Sequence, residues 1–345
     1  MSECRTHSDG LSTILGRCHS EEVPLDGVGV AMPQSLRGVG VARVAAASTN
    51  GSHPSSESDS IERVERLAPD KMRGVMRNAP IGWPMLEVID KGSSTESHPV
   101  PLLFVHGAVH AAWCWNENFL GFFADKGYRA VALSIRNHGN SARKNPWKSS
   151  VADFVSDVAS VANGLPAEPV VIGHSVGGFV VQKYLEMHSA PAGVLLASAP
   201  VSGVSRGLLR IMARHPLRSA RATLTGKLRH ALNTPQAARE NFYSASTPES
   251  DVERYTALLD EEYLGRQLFE FTMLSLPKPQ RVTAPLLVLG AESDAIFSQD
   301  EIRKTARAYG TEAEFFPNMG HNMMLEPGWQ AVAERIDGWL TARGH

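Results

Sequence analysis

Cysteine, net charge and long hydrophobic runs are all scarce in this sequence. The three cysteines among its 345 residues, Cys4, Cys18 and Cys114, form no CxxC pair, so the sequence predicts neither a disulfide framework nor a zinc site. A formal net charge of −2 gives no reason to expect a nucleic-acid partner. The apolar runs are too short to span a bilayer, and the N-terminus lacks the apolar segment of a secretory signal. We therefore expect a cytoplasmic protein with no integral membrane segment.

Residues 1–71 also lack an apolar pattern from which a core could form. The stretch AAASTNGSHPSSESDS, which ends at residue 60, is rich in serine and poor in large apolar side chains. We predict a disordered tail over 1–71. The folded core is predicted to comprise residues 72–200 and 283–345, with a helical cap at 201–282.

Seven short runs that predict strands follow the tail. The first, MLEVID, alternates, and the other six are apolar runs typical of strands buried on both faces of a parallel sheet. The seven runs are MLEVID (85–90), PLLFVHG (101–107), YRAVALSI (128–135), PVVIGHS (169–175), GVLLASAP (193–200), APLLVLGAES (284–293) and AEFFP (313–317). Helical patterns separate them; in 149–165, apolar residues recur at helical spacing and Ser150 is the predicted N-cap. Strands alternating with helices predict a mostly parallel central sheet flanked by helices.

The cap, residues 201–282, has helical patterns but no strand run, so we place it after the sixth strand of the sheet. Its charges are segregated: residues 201–238 contain no acid, whereas residues 240–270 contain eight acids and two bases. We expect the two halves to face each other or to flank one opening. The alternative is a basic face for anionic lipid, although Pro216 interrupts the helix that would carry it.

The segment GHSVGG, residues 173–178, follows a predicted strand and precedes a predicted helix. Gly-x-Ser-x-Gly in this context is typical of the tight turn that lifts a serine hydroxyl above a sheet. The two glycines would serve close packing as well, so the motif alone is a weak signal. With the strand before it and the helix after it, we predict that Ser175 is a nucleophile.

A serine nucleophile needs a histidine as general base and an acid that orients this histidine. His321 is the predicted base, because it follows the last predicted strand in a glycine-containing loop. Asp294 is the predicted acid, because it lies just past the run at 284–293; its structural alternative is the N-cap of the next helix. The competing candidates are His230 and His345 for the base and Glu292 and Asp300 for the acid.

The oxyanion of a tetrahedral intermediate needs two hydrogen-bond donors. We predict the backbone N–H of Val176, at the start of a helix, and that of Ala108, in the loop after the run at 101–107. His106 and His110 lack a third ligand, so no metal site is predicted. Cys114 is expected to be a buried wall residue.

Five motifs together resemble those of the α/β-hydrolase superfamily, in its esterase, lipase and haloperoxidase-like branch. They are HG (106–107), RNHGNS (136–141), GHSVGG (173–178), SDAIF (293–297) and GHNMMLE (320–326). The resemblance implies an α/β-hydrolase fold with the cap as a lid over an acyl pocket. It also implies a triad and an oxyanion hole, formed by Ser175, Asp294 and His321 and by Ala108 and Val176.

One loop departs from the pattern of this superfamily. Where the family often has D-x-R-G-H-G-x-S, Ser134 and Asn137 replace the aspartate and the first glycine. Because the loop is mainly structural in the family, the resemblance implies an altered pocket edge with catalysis retained.

We therefore predict a cofactor-free serine hydrolase that cleaves a carboxylic ester through an acyl-enzyme intermediate. The alternatives are the same triad acting on amides, thioesters, lactones or carbon–carbon bonds or in perhydrolysis, and a non-catalytic ligand-binding protein with this fold. No oligomeric state is predicted. A small-molecule substrate with an apolar portion is expected from the cap residues Leu208, Leu209, Phe242, Tyr243, Phe269 and Met273.

Overall fold

The computed structural model describes residues 85–345, so the predicted tail at 1–71 lies outside the described residues. A seven-stranded sheet runs through residues 85–345 in the order β1-β3-β2-β4-β5-β6-β7. Strands β1 and β3 pair antiparallel, and all other neighbours pair parallel. The strands are β1 (Val88–Lys91), β2 (Leu102–Val105), β3 (Ala130–Leu133), β4 (Val170–His174), β5 (Gly193–Leu196), β6 (Leu286–Ala291) and β7 (Ala313–Phe316). Each strand overlaps one of the seven predicted runs, which confirms the predicted mostly parallel sheet.

The five central strands, β2 to β6, are buried along their whole length because helices cover the sheet. Helix α3 begins at the predicted N-cap: Ser150 Oγ accepts from Asp153 N at 3.1 Å, and the Asp153 carboxylate accepts from Ser150 N at 2.9 Å. The helices of the core are α1 (Trp113–Asn116), α2 (Phe119–Asp125), α3 (Val151–Ala162), α4 (Val176–Leu185), α11 (Gln299–Ala308) and α12 (Trp329–Thr341).

Between β5 and β6 the cap forms a run of short helices. Within residues 85–345 it follows the fifth strand, whereas the prediction placed it after the sixth. Among those same residues, no helix is long and apolar enough to cross a bilayer. The cap elements are α5 (Ser205–Arg214), α6 (Pro216–Thr225), α7 (Arg229–Leu232), α8 (Pro235–Phe242), α9 (Glu249–Ala257), α10 (Arg266–Phe269), a π-helical turn (Glu270–Leu274) and a 3-10 turn (Pro279–Arg281).

The two oppositely charged halves of the cap meet at few points. Arg210, in the basic half, pairs instead with Glu301 of α11 in the core, at 2.7 Å. The expectation that the halves face each other is therefore met only locally. Within the part of the chain that is described, the halves are joined by the ion pair Lys227–Glu261 at 3.7 Å and by the close contact of His215 Nε2 with Glu240 Oε2 at 3.0 Å, which is an ion pair only when His215 is protonated.

Candidate active site

Ser175 lies in the turn between β4 and α4, with a positive φ of 54°. A positive φ in a residue with a side chain costs on the order of 1–3 kcal/mol and persists only where the surroundings hold it. Besides the first bonds of α4, two backbone hydrogen bonds hold it here: Ser175 N donates to Leu196 O at 3.2 Å, and Ala199 N donates to Ser175 O at 2.9 Å. The turn is thus tied to β5 and to the loop that follows it.

The glycines around Ser175 are required by close backbone approach. A Cβ on Gly177 would overlap the carbonyl oxygen of His106, and a Cβ on Gly173 would lie 2.6 Å from Gly177 O. A Cβ on Gly107 would lie 2.8 Å from Ser175 Cβ. Small residues therefore allow the loop after β2 to pack directly against the serine turn.

His321 and Asp294 form a buried pair in the loops after β7 and β6. His321 Nδ1 lies 2.8 Å from Asp294 Oδ2, and their side chains are 1% and 2% exposed. Asp294 Oδ1 also accepts from Ile296 N at 2.7 Å and from Phe297 N at 3.0 Å. Three contacts on one carboxylate fix its orientation. The N-cap alternative for Asp294 is wrong, since Ser298 caps α11.

Ser175 and His321 border the same cavity. The Nε2 atom of His321 is buried and has no hydrogen-bond partner among residues 85–345. With Nδ1–H donated to Asp294, this Nε2 carries a lone pair and can accept a proton. The structure therefore brings together the three residues that we predicted as nucleophile, base and acid.

Both predicted oxyanion donors also border this cavity. Val176 is the first residue of α4, and a helix leaves the N–H groups of its first turn without intrahelical partners. Ala108 lies in the loop after β2 that packs against the serine turn, next to Val109, which has a φ of 57°. Val109 O accepts from Asp260 N of the cap at 2.8 Å, so the cap backbone helps to hold this loop.

Two side chains that the sequence did not assign to the site fix the Ala108 loop. His110 Nδ1 hydrogen-bonds Ala108 O at 2.8 Å, and Asn322 Nδ2 donates to His110 Nε2 at 3.1 Å. Burial lowers the pKa of His110 to about 4, so its ring is neutral near pH 7 and accepts at Nε2. The sequence suggested His110 only as a candidate metal ligand, and nothing in it indicated the contact with the distant Asn322.

Two further buried histidines hold the loops after β3 and β7. His106 Nε2 accepts from Ile135 N at 3.1 Å, and His174 Nε2 hydrogen-bonds His321 O at 3.0 Å. Burial holds the pKa of both rings well below the ordinary value. Each therefore serves as a neutral hydrogen-bonding group. Among residues 85–345, no group of three His, Cys, Asp or Glu side chains is arranged to hold a metal ion.

The buried neutral histidines should make the fold sensitive to mild acid. The unfolded chain binds protons on His106, His110 and His174 near pH 6.5, whereas the folded chain does not, so stability falls as the pH drops below that value. For His110 alone we expect a loss of about 2 kcal/mol between pH 7 and pH 5. Urea unfolding at the two pH values measures this change.

The His110→Gln variant should show a smaller pH dependence than the wild type, whatever its stability at pH 7. His188→Gln, which replaces a half-buried histidine after α4, is the matched control. An unchanged difference between pH 7 and pH 5 in His110→Gln would contradict the role of this ring.

The cavity at Ser175 is mostly apolar and encloses about 730 Å³, counting its opening to solvent. Both halves of the cap contribute to it, as expected for halves that flank one opening.

Of the six predicted cap residues, Leu208 and Phe242 line the cavity. Tyr243 is buried and accepts from Asn322 Nδ2 at 3.2 Å. The prediction is wrong for the other three, Leu209, Phe269 and Met273. Their side chains point to solvent and are 65%, 61% and 68% exposed.

The two departures in the loop after β3 have structural roles. Ser134 Oγ donates to Glu87 Oε2 at 2.6 Å and accepts from Ala112 N at 2.9 Å. Asn137 has a φ of 70°, which asparagine tolerates better than most residues other than glycine.

Cys114, in α1, is fully buried, as predicted.

A serine on a strand-to-helix turn beside a buried histidine–aspartate pair, above a mostly parallel sheet, defines the class of α/β hydrolases. The chain belongs to the Alpha/beta hydrolase family, whose model matches residues 102–335, more than half of its length. Membership of this family supports hydrolase activity.

Known proteins resemble this chain to different extents. A monoacylglycerol lipase of Mycolicibacterium smegmatis is 24% identical over 237 residues, which cover 64% of this chain and 80% of the lipase. A non-heme chloroperoxidase of Burkholderia pyrrocinia is 33% identical over 111 residues, 32% of this chain, and the match spans only 39% of the chloroperoxidase. The solved structure of a thermophilic esterase from Thermogutta terrifontis superposes with a TM-score of 0.61 at 19% identity, covering 77% of this chain and 97% of the esterase. At that identity the likeness establishes the fold alone.

Proposed function

We propose that this chain is a serine hydrolase that cleaves carboxylic esters through an acyl-enzyme intermediate, with Ser175, His321 and Asp294 as its triad. The observation that carries the proposal is the buried His321–Asp294 pair at 2.8 Å. His321 borders the same cavity as Ser175, and its Nε2 has no hydrogen-bond partner among residues 85–345. The esterase and lipase among the similar proteins favour an ester over other bonds.

Acylation begins when Ser175 Oγ attacks the ester carbonyl carbon while His321 Nε2 takes the hydroxyl proton. Asp294 accepts from His321 Nδ1 and stabilises the imidazolium that forms. The N–H groups of Ala108 and Val176 donate to the oxyanion. The intermediate collapses as the bond to the alcohol oxygen breaks, and His321 returns the proton to that oxygen.

Deacylation repeats these steps with water as the nucleophile. His321 Nε2 takes a proton from water, whose oxygen bonds to the acyl carbon and forms a second oxyanion at the same donors. The bond to Ser175 Oγ then breaks, and the proton passes from His321 to the serine. The carboxylic acid leaves, and the enzyme returns to its starting state without a cofactor.

The lining of the cavity favours a small to medium substrate with an apolar portion. Leu208, Phe242, Phe271 and Phe297 are among the apolar side chains that border it, and each apolar contact favours alkyl or aryl groups over polar ones. We propose that the cap acts as a lid over this acyl site.

The test is covalent labelling with a fluorophosphonate, followed by a panel of soluble esters, amides, thioesters and lactones. Peptide mass spectrometry should place the phosphonate on Ser175, because an activated serine attacks phosphorus as it attacks an ester carbonyl. The ester should be the fastest class in the panel. A folded protein that is not labelled at Ser175 would refute the proposal and favour a non-catalytic binding protein.

A further inference from the structure

A second cavity, which we call the outer groove, lies in the cap next to the cavity at Ser175. It encloses about 960 Å³, counting its opening to solvent. Met212 of α5, Ala222 and Thr223 of α6, and Trp147 of the loop before α3 contribute to its walls. None of the described residues that line it has a charged side chain. A ligand part that binds there is therefore neutral and mostly apolar.

Four leucines line both the outer groove and the cavity at Ser175: Leu208, Leu228, Leu264 and Leu268. At these positions a single residue separates the two spaces. Leu208, Leu264 and Leu268 are only half-buried. Because leucine side chains change rotamer without movement of the backbone, this partition can open locally.

The backbone that carries two of these leucines is held by paired segments of the cap. Leu228 N donates to Glu262 O at 2.8 Å, and Leu264 N donates to Gly226 O at 2.8 Å. These reciprocal bonds keep the two segments side by side. The backbone at the partition is therefore held independently of the rotamers of these leucines.

We propose that the outer groove binds the distal part of a long acyl chain whose ester carbonyl lies at Ser175. The chain passes between the four shared leucines, so that a short acyl group occupies only the inner cavity and a long one occupies both. This inference rests on the proposed ester hydrolysis and specifies its substrate as an ester of a medium- to long-chain fatty acid. The uncharged lining excludes a charged head group from the outer groove.

The test compares two 4-nitrophenyl esters, the butyrate and the dodecanoate, both below their aggregation limits. Each buried methylene contributes about 0.8 kcal/mol, or about fourfold in kcat/KM. Blocking the outer groove should therefore lower kcat/KM for the long ester and leave that for the short ester unchanged. Thr223→Trp places an indole in the groove from an exposed position. We expect kcat/KM for the dodecanoate to fall about tenfold or more and that for the butyrate to stay within about twofold.

Met212→Trp, on the opposing helix α5, is a second blocking variant that does not depend on the tolerance of α6 for tryptophan. Ala220→Trp is the matched control, because residue 220 lies exposed on α6 but outside the groove lining. Calorimetric titration with the free fatty-acid anion, dodecanoate, measures binding without catalysis. Its affinity should fall about tenfold in both blocking variants and remain unchanged in the control.

The groove proposal would be overturned if both blocking variants kept the wild-type affinity for free dodecanoate and the wild-type rate on the dodecanoate ester. It would also be overturned if kcat/KM fell equally for the two esters. If no ester is cleaved but dodecanoate binding depends on Thr223 and Met212, the ester hydrolase proposal fails and the groove stands. A selective loss with the long ester supports both.

Discussion

Replacing Ser175 with alanine should lower kcat/KM for an ester substrate by at least about a thousandfold. The alanine has no oxygen to attack the carbonyl, so the acyl-enzyme route is lost and only the oxyanion donors and substrate binding remain. A thousandfold loss corresponds to about 4 kcal/mol of transition-state stabilisation. Initial rates with one chromogenic ester, at matched concentrations of folded protein, measure the change.

Ser198→Ala is the matched control for this prediction. Ser198 is a buried serine after β5, and its Oγ donates to Ala199 O at 3.0 Å. It is not among the described residues that border the cavity at Ser175. The control should retain most of the wild-type rate. Near wild-type activity in a correctly folded Ser175→Ala protein would exclude Ser175 as the nucleophile.

Asp294→Asn should lower kcat at neutral pH by about a thousandfold or more. An asparagine oxygen can still accept from the N–H groups of Ile296 and Phe297, which turns its NH₂ group toward His321 Nδ1. Nδ1 then has to accept a hydrogen bond, so the ring proton moves to Nε2. A protonated Nε2 in a neutral ring cannot take the proton of Ser175, and acylation stops.

Steady-state kinetics on Asp294→Asn and Asp300→Asn separate this role from a general charge effect. Asp300 is exposed in the first turn of α11, and its variant removes the same charge from a nearby position. We expect Asp300→Asn to keep the wild-type kcat. Equal kcat values for the two variants would show that His321 is oriented by something other than Asp294.

The strands were predictable because burial on both faces of a parallel sheet requires continuous apolar side chains, a signal that is local in the sequence. The strand-to-helix turn at Ser175 was predictable for a similar reason. The turn that holds its positive φ needs small neighbours, and Gly173 and Gly177 are visible as a spaced pair. His321 and Asp294 were predictable as candidates, since each closely follows the carboxyl end of a strand run.

The sequence was sufficient to predict that the cap is helical. It was not sufficient to predict which cap side chains face the cavity and which face solvent. Leu208 and Leu209 are adjacent in α5, yet Leu208 borders the cavity and Leu209 is 65% exposed. The short cap helices carry apolar residues on more than one face, so composition does not tell which face meets the core. The packing of α5 against the core decides it.

Local signals in the sequence established the order of strands and helices and the three residue types at strand ends from which a hydrolase site can be built. Only the folded chain shows which carboxylate contacts His321, that His110 and Asn322 hold the Ala108 loop, and that the cap contains a second apolar space. The difference lies in the range of the interactions. Strand burial and turn geometry act on neighbours in the chain, whereas these contacts join residues up to 212 positions apart and exist only after the sheet has formed.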